Sequence, residues 1–201
     1  RAVLGLKGGR EDSAYLRLHR CLWEVIRWAE ENGAAGVAID ETTLLEKLNT
    51  SWADLGPVDH PFESIYRENA NIMVLNALQK GLISDHPESL IDIEVPLDCG
   101  RVRFTPDHLE VDPSGKRIFR RMKTGRIRSK DDDPIYGLYF AAGNDGSGMP
   151  FQIEVASLMT GEVNEIKLNS KTASTRTGKY MQAMRGIQEQ EFPPRPEDDR
   201  G

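Results

Sequence analysis

RVRFTPDHLEVDPSGKRIFRRMKTGR, residues 101–126, decides the fold. RVRF, HLEV and KRIFRRMK are short runs of alternating apolar and polar residues. Thr105-Pro106-Asp107 and Asp112-Pro113-Ser114-Gly115 separate them, and proline, aspartate, serine and glycine in such clusters are turn chemistry. The stretch therefore predicts a meander of short strands. Ile118, Phe119 and Met122 give the last strand apolar positions, and Lys123-Thr124-Gly125 reads as the turn that ends it. Phe119, Arg121 and Lys123 share one side of an ideal strand, so the pattern alone does not fix which way Arg121 points.

Upstream, SLIDIEVPL has a period of two. Ile91, Ile93 and Val95 fall on one side, and Leu90, Asp92 and Glu94 on the other, as in a half-buried strand. Before it the period is helical. Tyr15, Leu18, Leu22, Ile26 and Ala29 form one stripe between a Ser13 cap and Gly33. DETTLLEKLNTSWADLG reads as a second helix, capped by Asp40 and stopped by Gly56. HPFESIYRENANIMVLNALQKG reads as a third, whose Phe62, Ile65, Tyr66, Ile72, Met73, Leu75 and Leu78 are expected to cover a core. Downstream, DDDPIYGLYFAAG predicts a helix with Asp132 or Asp133 at its start. FQIEVASL and NEIKLN predict a hairpin. STRTGKYMQAMRGIQEQEF predicts a last helix, weakened by Gly178 and Gly186. Helices, then strands, then helix, hairpin and helix make a mixed α+β chain with a central sheet flanked by helices. The expectation is one domain over 1–201: mainly helical over 1–87, sheet with helices over 88–192, and a tail over 193–201.

The chain has 201 residues, 29% of them charged, and no apolar run long enough for a membrane span. The first residues resemble no secretory signal, and without an initiator methionine the chain is expected to be a piece of something longer. Cys21 and Cys99 have neither zinc-ligand nor disulfide-framework spacing, so a reducing cytoplasm is expected. The net charge is -6, yet residues 100–130 hold ten basic groups against three acidic ones, a local +7 that leaves -13 for the rest. Such a window suggests a nucleic-acid surface, although strand residues that simply face water would give the same count. RTGKYMQAMRG puts aromatic and basic groups on one helix, which also suits a backbone-tracking surface. The chain has no phosphate-binding loop of the GxxxxGK[ST] type and no nucleophile elbow, and His19, His60, His86 and His108 have no zinc-like spacing.

Pro106-Asp107 at the start of one strand, followed by a strand ending in Lys123, resembles the PD-(D/E)XK nuclease superfamily, in particular its RecB-like branch attached to UvrD-like helicases. LHRCLWEVIRW is similar to that family's opening helix, with His19 at its metal-proximal histidine. IYGLYFAAG is similar to its helix after the catalytic strands, with Tyr139 at its tyrosine. The resemblance implies a restriction-endonuclease-like sheet. It also implies a site in which two carboxylates hold Mg²⁺ or Mn²⁺ and a lysine orients the nucleophile. Two positions depart from it: Arg121 stands at the acid, and Ile135 at a glutamine.

Arginine stays protonated at any working pH. It is expected to pair with Asp107 through a bidentate fork and to take the metal's place. The resemblance therefore implies a vestigial centre of Asp107 and Lys123 with Arg121 in the acid's place, no bound cofactor, and no catalysis. Its expected role is to guide single-stranded DNA, or to brace the motor, beside helicase domains of the same parent chain and without a membrane partner. Arg101, Arg103, Arg120, Arg126, Arg128 and Tyr139 are the expected nucleic-acid contacts. Two alternatives remain. One is an active Mg²⁺- or Mn²⁺-dependent nuclease with a carboxylate relocated to Glu94, Glu110 or Glu154, its metal near Asp107, His19 and Glu94. The other is a protein-interaction module with an incidental sheet and a large exposed apolar patch.

Overall fold

The computed structural model describes residues 13–84, 91–128 and 131–189. Leu90, Lys130 and the expected tail over 193–201 lie outside them. The described chain is mixed α+β, as the element order predicts.

Three helices come first: α1 (Ala14–Ala34), α2 (Glu41–Leu55) and α3 (Glu63–Gln79). Ser13 caps α1, its Oγ accepting the Leu16 N–H at 3.3 Å. Asp40 caps α2 in the same way, accepting from Thr43 N–H at 2.8 Å. In α1 the predicted stripe buries Leu18, Leu22, Ile26 and Ala29, joined by Cys21 and Val25, but Tyr15 is 53% exposed. The helix runs one residue past Gly33, and the chain turns at Gly36, where φ is 79°.

In α3 the expected core face holds in part: Met73 is buried, and Tyr66 and Leu78 pack against the core. Phe62, Ile65 and Ile72 are exposed, and Ala70, Val74 and Ala77 are buried in their stead. Small residues at 70 and 77 let α3 pack closely on its neighbours, and that contact decides its rotation over side-chain size.

The strands form two sheets where the sequence suggests one. β1 (Ile93–Leu97) and β2 (Gly100–Phe104) make a separate antiparallel hairpin with Val95 opposite Val102. The ladder stops at Thr105-Pro106, since proline brings no donor and restricts the residue before it. Val95 is buried, but Ile91, expected on the same inward side, lies outside the strand and is exposed. The main sheet has the order β3-β4-β5-β6, with β3 (His108–Val111), β4 (Arg117–Lys123), β5 (Phe151–Ser157) and β6 (Val163–Glu165). β3 and β4 are antiparallel, and the turn between them is set by Asp112 Oδ1, which accepts the Ser114 and Lys116 N–H groups at 2.8 and 3.0 Å. β4 and β5 are parallel, so the connection between them must cross over, and α4 (Ile135–Gly143) makes that crossing.

The last helix, α5 (Ser170–Gln188), starts four residues before the expected Ser174. Asn169 and Thr172 form a reciprocal capping box there, and Gly178 and Gly186 are carried inside the helix. Gly137 of α4 meets α5 so closely that a Cβ would lie 2.9 Å from the Thr177 nitrogen.

The two faces of the sheet hold two cores. Met122, Ala156 and Leu158 pack with α1, α2 and α3. Phe119, Ile153 and Val155 pack with Tyr136, Tyr139 and Ala142 of α4. β4 alternates between them, which sends Arg121 toward the α4 side with Phe119.

Candidate functional site

Asp107 is fixed from both directions. Its Oδ2 accepts the Met122 N–H at 2.9 Å, tying the start of β3 to β4, and its own N–H donates to the Tyr139 hydroxyl at 3.3 Å. Arg121 then reaches it. One nitrogen, Nη1, donates to both Asp107 oxygens, at 3.0 and 2.7 Å. Nε donates instead to Asp133 Oδ2 at 3.1 Å. The expected fork on a single carboxylate is therefore replaced by a bridge: the guanidinium joins Asp107 on the sheet to Asp133 ahead of α4. Asp133 is oriented by its other oxygen, which accepts the Ile135 N–H at 3.1 Å.

Lys123 does not converge on Asp107. Its Nζ lies 2.7 Å from Asp131 Oδ2, which also accepts the Tyr136 hydroxyl at 2.8 Å. β4 thus presents two cations two residues apart, and the segment before α4 presents two carboxylates two residues apart to match them. Asp131 and Asp133 were missed as site residues because an acidic run before a helix reads as helix-start chemistry. The signal that could have found them is the Asp131–Asp133 spacing, which repeats the Arg121–Lys123 spacing.

Burial pushes the Asp107 carboxyl above its ordinary pKa, opposed by the Arg121 charge and the Met122 N–H. Burial also works against the charge on Arg121, but Asp107 and Asp133 outweigh it and hold that pKa above the usual guanidinium value. The Arg121–Asp107 separation of 2.7 Å is that of a charge-assisted hydrogen bond. For Asp131, burial raises the pKa, while the hydrogen bonds from Lys123 and Tyr136 more than compensate and lower it.

His19 lines the same cleft as Arg121 and Lys123. Its Nε2 accepts the Trp23 indole N–H at 2.9 Å. Desolvation lowers its pKa, with Asp107 opposing and Arg121 assisting.

The other expected site residues are elsewhere. Glu94 is exposed on the β1–β2 hairpin, 2.8 Å from Arg101, and Asp92 holds Arg103 in the same way at 2.6 Å. Arg120 is 7% exposed, with Nε 2.8 Å from Glu154, and so is unavailable to a polynucleotide. Tyr139 is fully buried, stacked on Phe119 at 5.6 Å, and cannot receive a base. Its hydroxyl, beside Asp107, has a pKa raised by burial. Glu110 pairs with His108 at 3.0 Å, so Glu94, Glu110 and Glu154 are each engaged by a partner other than Asp107. Ile135 packs against the α4 core. Arg126 and Arg128 do line the cleft and are exposed.

Most of the local +7 is offset in space. Lys116 and Arg117 also have acidic partners, Asp112 and Asp145. A window along the chain does not count the acids that the fold brings in from residues 92, 94, 131, 133, 145 and 154.

The centre as built does not fit a divalent ion. The space between Asp107 and Asp133 holds a guanidinium that stays charged at any working pH. Among the described residues no group of three or more His, Cys, Asp or Glu side chains is arranged to hold a metal ion. Comparison with protein-family models finds no match, and comparison with curated proteins finds none. No helix among the described residues is long and apolar enough to cross a membrane.

Proposed function

We propose that this chain is a nuclease-like domain, of the kind attached to DNA helicases, whose hydrolytic centre is closed by Arg121. The observation that carries this reading is the guanidinium bridge between Asp107 and Asp133. An aspartate at the start of one strand, a cation-bearing neighbouring strand, a crossing helix and a parallel strand supply the scaffold of a metal-dependent phosphodiesterase. The bridge supplies a fixed positive charge where such chemistry needs an exchangeable dication. In this reading the domain holds or guides a strand, or braces the motor, within a larger DNA-processing protein of the cytoplasm.

Inheriting a scaffold does not mean inheriting its activity. The rival reading is an active enzyme in which Asp133 is the relocated carboxylate and Arg121 leaves when metal enters. The contact between Asp133 and Arg121 favours considering it. An interaction module with no ordered centre accounts less well for the paired cations and carboxylates.

Cleavage assays on single-stranded and duplex DNA, with Mg²⁺ and with Mn²⁺, decide between the first two. The expected result is no hydrolysis above that of Asp107→Asn. Metal-dependent hydrolysis that Asp107→Asn abolishes would overturn the silent centre and favour the rival.

A further inference from the structure

The exposed side of α1 carries a feature that the Arg121 bridge does not use. Tyr15, His19 and Trp23 recur every four residues and form one ridge of rings. Their centroids are 6.3 Å apart from Tyr15 to His19 and 5.5 Å from His19 to Trp23. The Tyr15 hydroxyl is held 2.9 Å from Thr124 Oγ1, yet more than half of its side chain faces solvent. Trp23 is fixed by its bond to His19. Tyr15 and His19 line a cleft of about 420 Å³ together with Arg126 and Arg128, and Trp23 behind them packs against the helical core. A second cleft, of about 200 Å³, is lined by Trp23, Arg27 and Glu30 of the same helix and by Thr105, Pro106 and Asp107.

The cations in the cleft divide into two sets. Arg121 and Lys123 are neutralised by Asp133, Asp107 and Asp131. Arg126 and Arg128 are exposed, and among the described residues neither is in an ion pair.

We propose that this cleft is a binding track for single-stranded DNA, in which one base stacks on Tyr15 and the adjoining phosphates meet Arg126 and Arg128. A pre-fixed aromatic face beside unpaired guanidinium groups matches the two chemical faces of a single strand. A duplex keeps its base faces stacked inside and offers Tyr15 nothing to stack on. An apolar peptide would have to desolvate the charged groups of the wall, at a cost its own side chains do not offset. Asp132, exposed at the rim, opposes the phosphates and sets a limit on affinity. The proposal takes its ligand class from the preceding reading, but it does not require the centre to be silent.

The test is fluorescence anisotropy at low salt with labelled oligothymidylate and an abasic strand of equal length, on the full chain. Oligothymidylate is expected to bind roughly five-fold or more tighter than the abasic strand, the low end of one stacked base. Tyr15→Ala should bring the two within about two-fold of each other. Tyr15→Phe, which loses only the bond to Thr124, should keep the preference. The Arg126→Ala, Arg128→Ala double variant should weaken both strands, keep their ratio, and flatten the salt dependence by about 1.4 log units per log unit of salt, the value for two phosphates. Circular dichroism of each variant separates lost contact from lost fold. Equal affinity for the two strands, a Tyr15→Ala variant with unchanged preference, or preference for duplex overturns the track. So does an absence of binding at low salt, which would leave the ridge to a protein partner. The cleavage assays above are unaffected by any of these results.

Discussion

Arg121 carries two contacts that no neutral residue can make together. At about 4 Å and an effective dielectric near 20, a unit-charge pair is worth roughly 4 kcal/mol before desolvation is counted. Removing one partner of a fully buried pair commonly costs roughly 3–5 kcal/mol. Arg121 keeps 33% of its side-chain surface exposed, so solvent screening lowers that figure. Arg121→Met is expected to cost about 2 kcal/mol in urea denaturation, because Asp107 and Asp133 then face each other without a cation. Lys123→Met should cost less, since Asp131 retains the Tyr136 hydroxyl. If Arg121→Met is as stable as the parent, the bridge contributes nothing and the account of the centre fails. The Arg121–Asp107 contact was expected from the resemblance to the nuclease motif and not from the strand pattern, which leaves the direction of Arg121 open. The contact to Asp133 was not, since it depends on how the connection to α4 folds back over the sheet.

The packing of α1 on the sheet rests on a buried charged row. His108, Arg120 and Glu154 lie opposite one another across β3, β4 and β5. His108 has Nε2 3.0 Å from Glu110 and Nδ1 3.5 Å from Glu30 of α1, while Arg27 of α1 approaches Glu30 at 3.7 Å. Burial and Arg120 lower the His108 pKa, but the bond to Glu110 and the nearby Glu30 carboxylate prevail and raise it above its ordinary value. A raised folded-state pKa contributes stability that is complete below the unfolded value and is lost as pH rises through the folded one. The stability difference between the parent and His108→Gln is therefore expected to shrink from pH 6 toward alkaline pH in chemical denaturation. A difference that grows with pH would show that His108 is held neutral.

At the other face, Gly137→Ala drives a Cβ to within 2.9 Å of the Thr177 nitrogen and 3.0 Å of the Ala173 oxygen. Backbone atoms cannot turn aside, so α4 and α5 must separate, at a cost of roughly 1–3 kcal/mol measured by thermal melting. Helix starts were legible where a capping side chain marks them, as at Ser13 and Asp40. The rotation of α3 was not, because Ala70 and Ala77 win their place through close helix contact and not through size.

Across the whole molecule, the mixed α+β class and the order of elements followed from the change of period near residue 90. The division into two sheets did not, because pairing between successive strands is a long-range choice that Thr105-Pro106 interrupts. Charge shows the same limit. Six basic groups of the 100–130 window have acidic partners brought in from outside it and Lys116 pairs with Asp112 within it, so among the described residues the site cations in no ion pair are Arg126 and Arg128. Polynucleotide binding to the full chain is accordingly expected to have a shallow salt dependence, well below the slope that seven net charges would give.

The central claim is that a guanidinium holds the ground between Asp107 and Asp133. Calorimetric titration with Mn²⁺ of the parent and of Arg121→Asp tests it most directly. The account predicts no binding to the parent and one site in Arg121→Asp that a further Asp107→Asn change removes. Mn²⁺ binding to the parent that depends on Asp107, or no gain in Arg121→Asp, would contradict it.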